Sequence, residues 1–538
     1  MGPSCFLALA LSAALALGSC AAPSNDACSP TDRPAACPGR GLYDGPVTVT
    51  LKARDPGRLV YTLDGSTPSA ANGRPYSEPL QITGAEGRGT VVLRVAEVGG
   101  PVATHTYVFP KYVLSQPTRP AGFPTVWGAR DTRESDYALD ARALPAAAAA
   151  TAALAALPTV SLVFALPDLF GDQGIYMNPS EAGVTWERPV SVEMFAGGVD
   201  DWQENAGARI QGNSSTQNWK SPKLSIRILW KSLYGPSDLE QALFTGSRVN
   251  RFDTLVLDAG LNYTWVHPEH EQRIKAQFVR DQFVADLQNA LGGLAPHGRF
   301  VHLYLNGLYW GMYNLHERPD ASFAAQHLGG QRGEYDALRH DGANVVDGDA
   351  TAWNTLMNRV RRGVRDDAAF EDVARLVDVD GFIDYMILNF FVGNTDWPQH
   401  NWYATRKRTD GGRFRFHSWD AERTLSEVEI DRTQVDAANG PGELYQALRA
   451  HAGFRDKVRA RAAALLGPSG LLGGGRPAEL YRKRAAEIES AVWLEAARWG
   501  DSARSQPYTR DDWLRERDWL LDGYFPRRAA IVRSQLAN

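Results

Sequence analysis

Leu305-Asn306-Gly307-Leu308-Tyr309-Trp310-Gly311-Met312-Tyr313-Asn314-Leu315 decides the reading of this 538-residue chain. The apolar run 301–305 enters Asn306-Gly307, a pair that accepts the positive φ angles of a type I′ turn, and leaves through 308–315, so the stretch predicts a β-hairpin. Upstream, strands are predicted at 160–166, 189–195, 208–211 and 224–230. They are followed by an amphipathic helix over 269–291 with Ile274, Phe278, Phe283, Leu287 and Leu291 on one face. Downstream, helices are predicted at 349–376 and 379–391. A second hairpin runs through Trp402-Tyr403-Ala404, turns at Asp410-Gly411-Gly412 and returns through Phe414-Arg415-Phe416. From 441 to the end the pattern is helical.

Strands, helices and hairpins in this order make an α+β domain, and the chain is too long for one core, so three or four units are expected. Short alternating strands from Val47 to Val98 form an N-terminal all-β sandwich. The expected order is a signal at 1–20, a Cys-containing linker at 21–40, the sandwich at 41–115, a Pro/Ala-rich linker at 116–157 that wraps without folding alone, the α+β domain at 158–440, and a helical C-terminal extension at 441–538. Ala146 to Leu157 is too short and too weakly apolar to span a membrane.

The 57 basic and 62 acidic residues nearly cancel, which argues against a nucleic-acid binder held by phosphate contacts. Only nine of the basic residues are Lys, and the Arg excess has the look of genomic bias. Lys220, Lys223 and Lys231 nonetheless fall in one short stretch. Residues 6–17 form an apolar run ending at Gly18-Ser19-Cys20, which reads as an export signal. Leu17-Gly18-Ser19-Cys20 resembles a lipobox, with Cys20 bearing lipid and no Lys or Arg before Phe6; the other reading is a plain secretory signal cut near Ser19. Localisation is therefore expected at the cell envelope as a lipoprotein, or secreted. Cys28 and Cys37 are then the pair available for a disulfide. No C-x-x-C element exists to form a thiolate metal site.

Three distant segments can be read together. Gly207 to Ser215 precedes Lys220 and Lys223; Asp396-Trp397-Pro398-Gln399-His400-Asn401 closes a helix; Trp419-Asp420-Ala421-Glu422 leaves the second hairpin. Phosphoryl transfer needs a cation on the phosphates, oxygen ligands for Mg²⁺ and a carboxylate to orient the attacking hydroxyl. Lys220 or Lys223 can supply the first, Asn401, Asp420 and Glu422 the metal ligands, and Asp396 the carboxylate. The five-residue step from Asp396 to Asn401 matches the catalytic loop of protein kinases.

With Trp186-Glu187-Arg188-Pro189, Arg209, Arg280-Asp281, the opening hairpin with Glu317 and Asp320, and Trp419-Asp420, the chain resembles the spore-coat protein H (CotH) kinase-like family over 159–425. That resemblance implies an atypical protein-kinase-like fold using ATP and a divalent metal, Mg²⁺ or Mn²⁺. Asp420 would hold metal, Lys223 the phosphates and Asp396 the acceptor hydroxyl. Gly212, Asn213, Ser214 and Ser215 would cover the phosphates, and Glu271 or Glu317 would pair with the Lys. Tyr61-Thr62-Leu63-Asp64-Gly65-Ser66-Thr67-Pro68 resembles the C-terminal domain of chitobiases and hexosaminidases, here as a spacer or a polysaccharide-contacting module.

The function expected is phosphoryl transfer from ATP to Ser or Thr of a surface or envelope protein, with AMP transfer using similar residues. The alternative is a non-catalytic surface protein whose kinase-like core is a scaffold. His267 and His270 lack a third ligand nearby and fit an acidic helix start better than a zinc site. Tyr309, Trp310 and Tyr313 read as packing.

Overall fold

The computed structural model describes residues 32–84, 88–340 and 344–537. The expected signal, Cys20 and Cys28 lie outside them. Cys37 is disulfide-bonded.

Alternating apolar residues build the sandwich from two sheets. One joins β1 (Ala35–Cys37), β3 (Val47–Lys52) and β6 (Leu80–Ile82); the other joins β2 (Gly41–Leu42), β4 (Leu59–Thr62), β5 (Arg74–Pro75), β7 (Thr90–Glu97) and β8 (Ala103–Val108) in the order β2-β8-β7-β4-β5. Val49, Leu51, Leu59, Leu93, Val95 and Tyr107 fill the space between them. Residues 35–37, expected within a linker, are a strand of the first sheet, because Ala35 to Cys37 pair with Thr50 to Lys52.

The next unit is a closed barrel of seven strands: β9 (Thr159–Val163), β10 (Arg188–Phe195), β11 (Trp202–Gln211), β12 (Ser225–Leu229), β13 (Thr254–Asp258), β14 (Gly298–Leu305) and β15 (Leu308–His316), closed by the parallel pairing of β9 with β14. Successive side chains alternate between faces. Leu162, Val192, Ala208, Ile226, Leu257, Leu303 and Tyr313 pack in one apolar core, which leaves Arg209, Ser225, Arg227, Asp258, Asn314 and His316 on the opposite face. The opening hairpin is present, with φ of 45° at Asn306 and 79° at Gly307.

The sandwich is docked on the barrel. Glu193 of β10 is fully buried and accepts from Arg40 Nε at 2.9 Å, the Thr106 N–H at 3.0 Å and Thr106 Oγ1 at 2.5 Å. Removing one partner of a buried pair typically costs ~3–5 kcal/mol. Glu193→Ala is therefore expected to lower stability by about 3 kcal/mol and to make the sandwich–barrel junction protease-sensitive, checked by denaturant titration and limited proteolysis.

Residues 116–157 wrap the barrel. The Tyr309 N–H donates to Gln116 Oε1 at 2.7 Å, Trp127 and Tyr137 pack on Trp310, and helix α1 (Ala147–Ala155) offers the Ala153 carbonyl to His302 Nε2 at 2.9 Å.

Beyond the barrel come α2 (Arg280–Ala290), α3 (Ala321–Leu328) and a sheet of β16 (Tyr335–Arg339), β17 (Asn344–Asp347), β18 (Trp402–Lys407) and β19 (Arg415–Ser418), ordered β17-β16-β18-β19. The helix expected over 269–291 is instead one turn, His270–Arg273, and then α2. Phe278 breaks it at φ 66°, where buried Gln277 donates to the Trp513 carbonyl at 2.9 Å. The helix expected over 349–376 likewise splits, into α4 (Thr351–Arg361) and α5 (Asp367–Ala374), with Gly363 between them at φ 93°. Helix α6 (Val379–Val392) is almost wholly buried.

Helices α7 (Pro441–Leu448), α8 (Ala452–Leu466), α9 (Arg476–Ile488), α10 (Val492–Trp499), α11 (Arg510–Trp519) and α12 (Phe525–Ala537) complete the chain. They form the expected helical C-terminal region and pack into the rest of the molecule. Arg528, fully buried, donates to the carbonyls of Phe390, Phe391, Val428 and Ile430, and Arg280 pairs with Glu516 at 2.7 Å.

Candidate active site

Strand register places two adjacent rows on the outer face of the barrel. Arg209 pairs with Arg227, Arg227 with Val256, and Val256 with His316. One step along, Gln211 pairs with Ser225, Asp258 with Asn314, and Ser225 Oγ bonds Asp258 Oδ1 at 2.7 Å. Rows two residues apart along a strand are separated by roughly 6.6 Å. A row with two arginines and His316 and a polar row with Asp258 therefore lie side by side.

Asp258 of the polar row meets Asp281, in the first turn of α2, and His316. One ligand atom from each lies within 4.8 Å of the others. His316 Nδ1 bonds the Glu317 carbonyl at 2.7 Å; a carbonyl only accepts, so the proton sits on Nδ1 and the Nε2 lone pair is left for a ligand. Asp420 arrives from the turn after β19, at φ 53°. Burial, followed by the charges of Glu422, Asp281, Asp258 and Asp396, holds its carboxyl well above the usual range. The turn is fixed to α2 because the Ala421 N–H donates to Asp281 Oδ1 at 2.6 Å.

Asp396 and Asn401 come to the same place. Asn401 Nδ2 donates to Asp396 Oδ2 at 3.2 Å, and since Trp402 pairs with Ser418, Asn401 and Asp420 leave one end of the β18–β19 hairpin. Asn401, at φ 61°, is like Asp420 in a left-handed conformation that Asn and Asp tolerate better than most residues.

Glu422 has a different part from the one expected. Its oxygens accept the Leu261 N–H at 2.9 Å, the Asn262 N–H at 2.8 Å and Asn262 Nδ2 at 2.9 Å, so most of its acceptor capacity goes to holding the 260–264 loop. Burial, then Asp258, pushes its carboxyl up to about 8. A cavity of 30 Å³ lies beside Asp420 and His316 without including them; its lining has Asp258, Asn262, Asp281, Asn314 and Glu422, with Arg280 also at its wall. It is large enough for one ion or water, and the buried Asn314 Oδ1 beside it has no hydrogen-bond partner.

Lys223 is 1% exposed and lies on the same barrel face. Its ammonium donates to Glu495 Oε1 at 2.7 Å and to the Met312 carbonyl at 2.6 Å, and it sits 4.7 Å from the Tyr313 ring centre. Neither Glu271 nor Glu317 is its partner: Glu495 comes from α10, in the region expected to be an extension. Gly311 makes this approach feasible. At φ 117°, a Cβ there would stand 2.7 Å from Trp499 Nε1 and 2.8 Å from Glu495 Oε2. Glu317, expected to serve the nucleotide, follows His316 in sequence and turns the other way. It is buried between His297 and His327.

Lys220 is half-buried at the end of the 212–220 segment, near His267, whose pKa falls to about 4 through burial and then the Lys220 charge. Gly212, Asn213 and Ser214 are exposed and Ser215 half-buried where β11 ends. Gly212 has φ 146°, and a Cβ would meet Ser215 Oγ at 2.6 Å.

The basic row was not assigned a role from sequence. Arg227 is 9% exposed; among the described residues it makes one long side-chain hydrogen bond, 3.4 Å to Thr254 Oγ1, and its Nε is buried with no hydrogen-bond partner. Burial, then Arg318, brings its pKa down to about 10, with Arg209 adding to the repulsion. Arg318 lies over the Tyr403 ring at 5.6 Å and also has an unpartnered buried Nε. Carboxylates already meet part of this charge, since Arg318 pairs with Asp320 at 3.1 Å and Arg209 lies 3.6 Å from Glu187. Arg227 has no ion pair among the described residues, and a buried guanidinium with unused donors is costly unless an anion joins it.

A family model described as CotH kinase protein matches residues 208–530, and one described as chitobiase/beta-hexosaminidase C-terminal domain matches residues 38–97. The first takes in α7 to α11, in keeping with Glu495 completing the Lys223 pair. No curated protein matches the chain.

Proposed function

Since the chain belongs to the CotH kinase protein family, with three-fifths of its length matched, we propose that it is an exported phosphotransferase moving the γ-phosphoryl group of ATP to a Ser or Thr hydroxyl of a surface or envelope protein. The observation carrying this reading is the acidic set beside the arginine row on one barrel face. Asp258, Asp281 and Asp420, with His316 at their side, would hold Mg²⁺ or Mn²⁺. The crowding of these carboxylates, the 30 Å³ cavity and the orphan Asn314 Oδ1 all fit a cation there. Such an ion supplies charge neutralisation for the transferring phosphoryl group.

The residues divide the remaining work. Arg209, Arg227 and Arg318 bind phosphate oxygens, a role expected of Lys223, which instead props β12, whose Ser225 hydroxyl bonds Asp258 of β13. Asp396, steadied by the Asn401 amide, accepts the proton of the acceptor hydroxyl and aims its oxygen. Glu422 keeps the 260–264 loop against the site. The cavity admits an ion and no nucleotide; Tyr403 and Trp419 pack with Val256 of the arginine row, so nucleotide binding there requires these side chains to move.

The test is incubation with Mg²⁺ or Mn²⁺ and ATP labelled separately at α and γ. Label from γ supports this reading and label from α supports AMP transfer. If neither label transfers and ATP leaves the melting temperature unchanged, the chain is a scaffold that contacts its surface partners by other means. Arg227→Met is expected to weaken ATP binding about tenfold or more, as loss of a charge-assisted hydrogen bond costs ~1.5–3 kcal/mol, measured by calorimetry.

A further inference from the structure

His297 leads into β14, Glu317 follows β15, and His327 lies in the last turns of α3, so three elements converge on one point away from the acidic set. Glu317 Oε2 is 3.0 Å from His297 Nδ1 and Glu317 Oε1 is 2.8 Å from His327 Nε2. The rings stack with centres 5.3 Å apart and planes 12° from parallel. One ligand atom from each of the three residues falls within 4.8 Å of the others.

Glu317 is 3% exposed, and the ion pairs it makes among the described residues are to these two histidines. Neutral imidazoles leave a buried carboxylate without countercharge, which costs several kcal/mol. Either a proton on one ring or a divalent cation must supply it. The nearby cations are committed elsewhere: Arg318 pairs with Asp320 at 3.1 Å, and His417 is bonded at both nitrogens, to Thr405 Oγ1 and to the Leu294 carbonyl. His297 and His327 keep 19% and 10% of their side chains exposed, which gives an ion a way in.

We propose that His297, Glu317 and His327 form a zinc site, two imidazoles and one carboxylate with water as the fourth ligand. Tetrahedral zinc with bonds of about 2.0–2.1 Å needs ligand atoms roughly 3.3 Å apart. The two imidazole–carboxylate separations are 3.0 and 2.8 Å, to different oxygens of Glu317, and the whole set falls within 4.8 Å, so small side-chain adjustments bring the three onto one ion. An ion there fastens α3 to the base of the β14–β15 hairpin, so the site clamps the barrel to the second sheet's layer. This is a different metal from the Mg²⁺ or Mn²⁺ of the acidic set, whose donors are mainly oxygen.

The experiment is titration of the metal-free full chain with Zn²⁺ against a chromogenic chelator, with Co²⁺ absorption as a second readout. One equivalent of zinc is expected, with tetrahedral Co²⁺ bands and a higher melting temperature. His327→Ala and Glu317→Gln should each weaken zinc binding about 100-fold or more and remove the Co²⁺ bands, while Asp281→Asn leaves both intact. If His327→Ala fails to fold, His327→Gln takes its place. The proposal is overturned by no uptake at micromolar free zinc, by uptake that survives both substitutions, or by uptake that Asp281→Asn abolishes.

Discussion

Asp420→Asn is expected to reduce phosphoryl transfer about a thousandfold or more while the metal-free protein becomes more stable. Asn keeps the left-handed backbone at φ 53° and the shape of the side chain, so the turn after β19 survives. What disappears is a carboxyl that folding must either protonate or bury as a charge beside Glu422, Asp281 and Asp258. Relief of that cost is worth on the order of 1 kcal/mol and should raise the melting temperature by a few degrees without metal. Loss of a metal ligand removes several kcal/mol of transition-state stabilisation. A structural role alone would move stability and activity in the same direction. Wild-type rates in Asp420→Asn would remove it from the metal site.

Glu495→Gln should cost ~3–5 kcal/mol of stability, read as a drop in the denaturation midpoint at unchanged slope, because it leaves the Lys223 ammonium buried without its countercharge. The neutral pair Lys223→Met with Glu495→Leu should recover most of that loss. If Lys223 binds phosphate directly, the double variant will be stable and inactive. If it only props β12, the double variant will retain part of its activity. Ending the chain at residue 440 removes Glu495, Trp499 and Arg528 together, and such a chain is expected not to fold.

These two substitutions mark where the sequence was and was not legible. The Asn306-Gly307 turn, the second hairpin and the gathering of Asp396, Asn401 and Asp420 rest on local signals, namely turn chemistry and a carboxylate leaving an apolar strand. Asp258 carries that second signal too, at the end of Leu255-Val256-Leu257. His316 gives no signal of its own, because its place depends on the register of β13 against β15. The Glu495 partnership could not be read, since nothing in a helical pattern says that one Glu points into another unit. Gly311 hinted at it, as a glycine inside an aromatic strand marks a close approach by another element. Helix 269–291 was overextended because periodicity continues through Phe278, while the break comes from the tertiary bonds of Gln277. The common arginines carry no local signal: Arg209 and Arg227 share a row only once β11 and β12 pair in register.

The central claim is that Asp258, Asp281 and Asp420 hold the divalent cation next to the arginine row. The most direct measurement is a crystal structure with Mn²⁺ and a non-hydrolysable ATP analogue, read by anomalous scattering. The account predicts a manganese peak bounded by those three carboxylates, with phosphate oxygens within hydrogen-bond reach of Arg209, Arg227 or Arg318. Manganese found only elsewhere, or phosphates seated away from the arginine row, would contradict it.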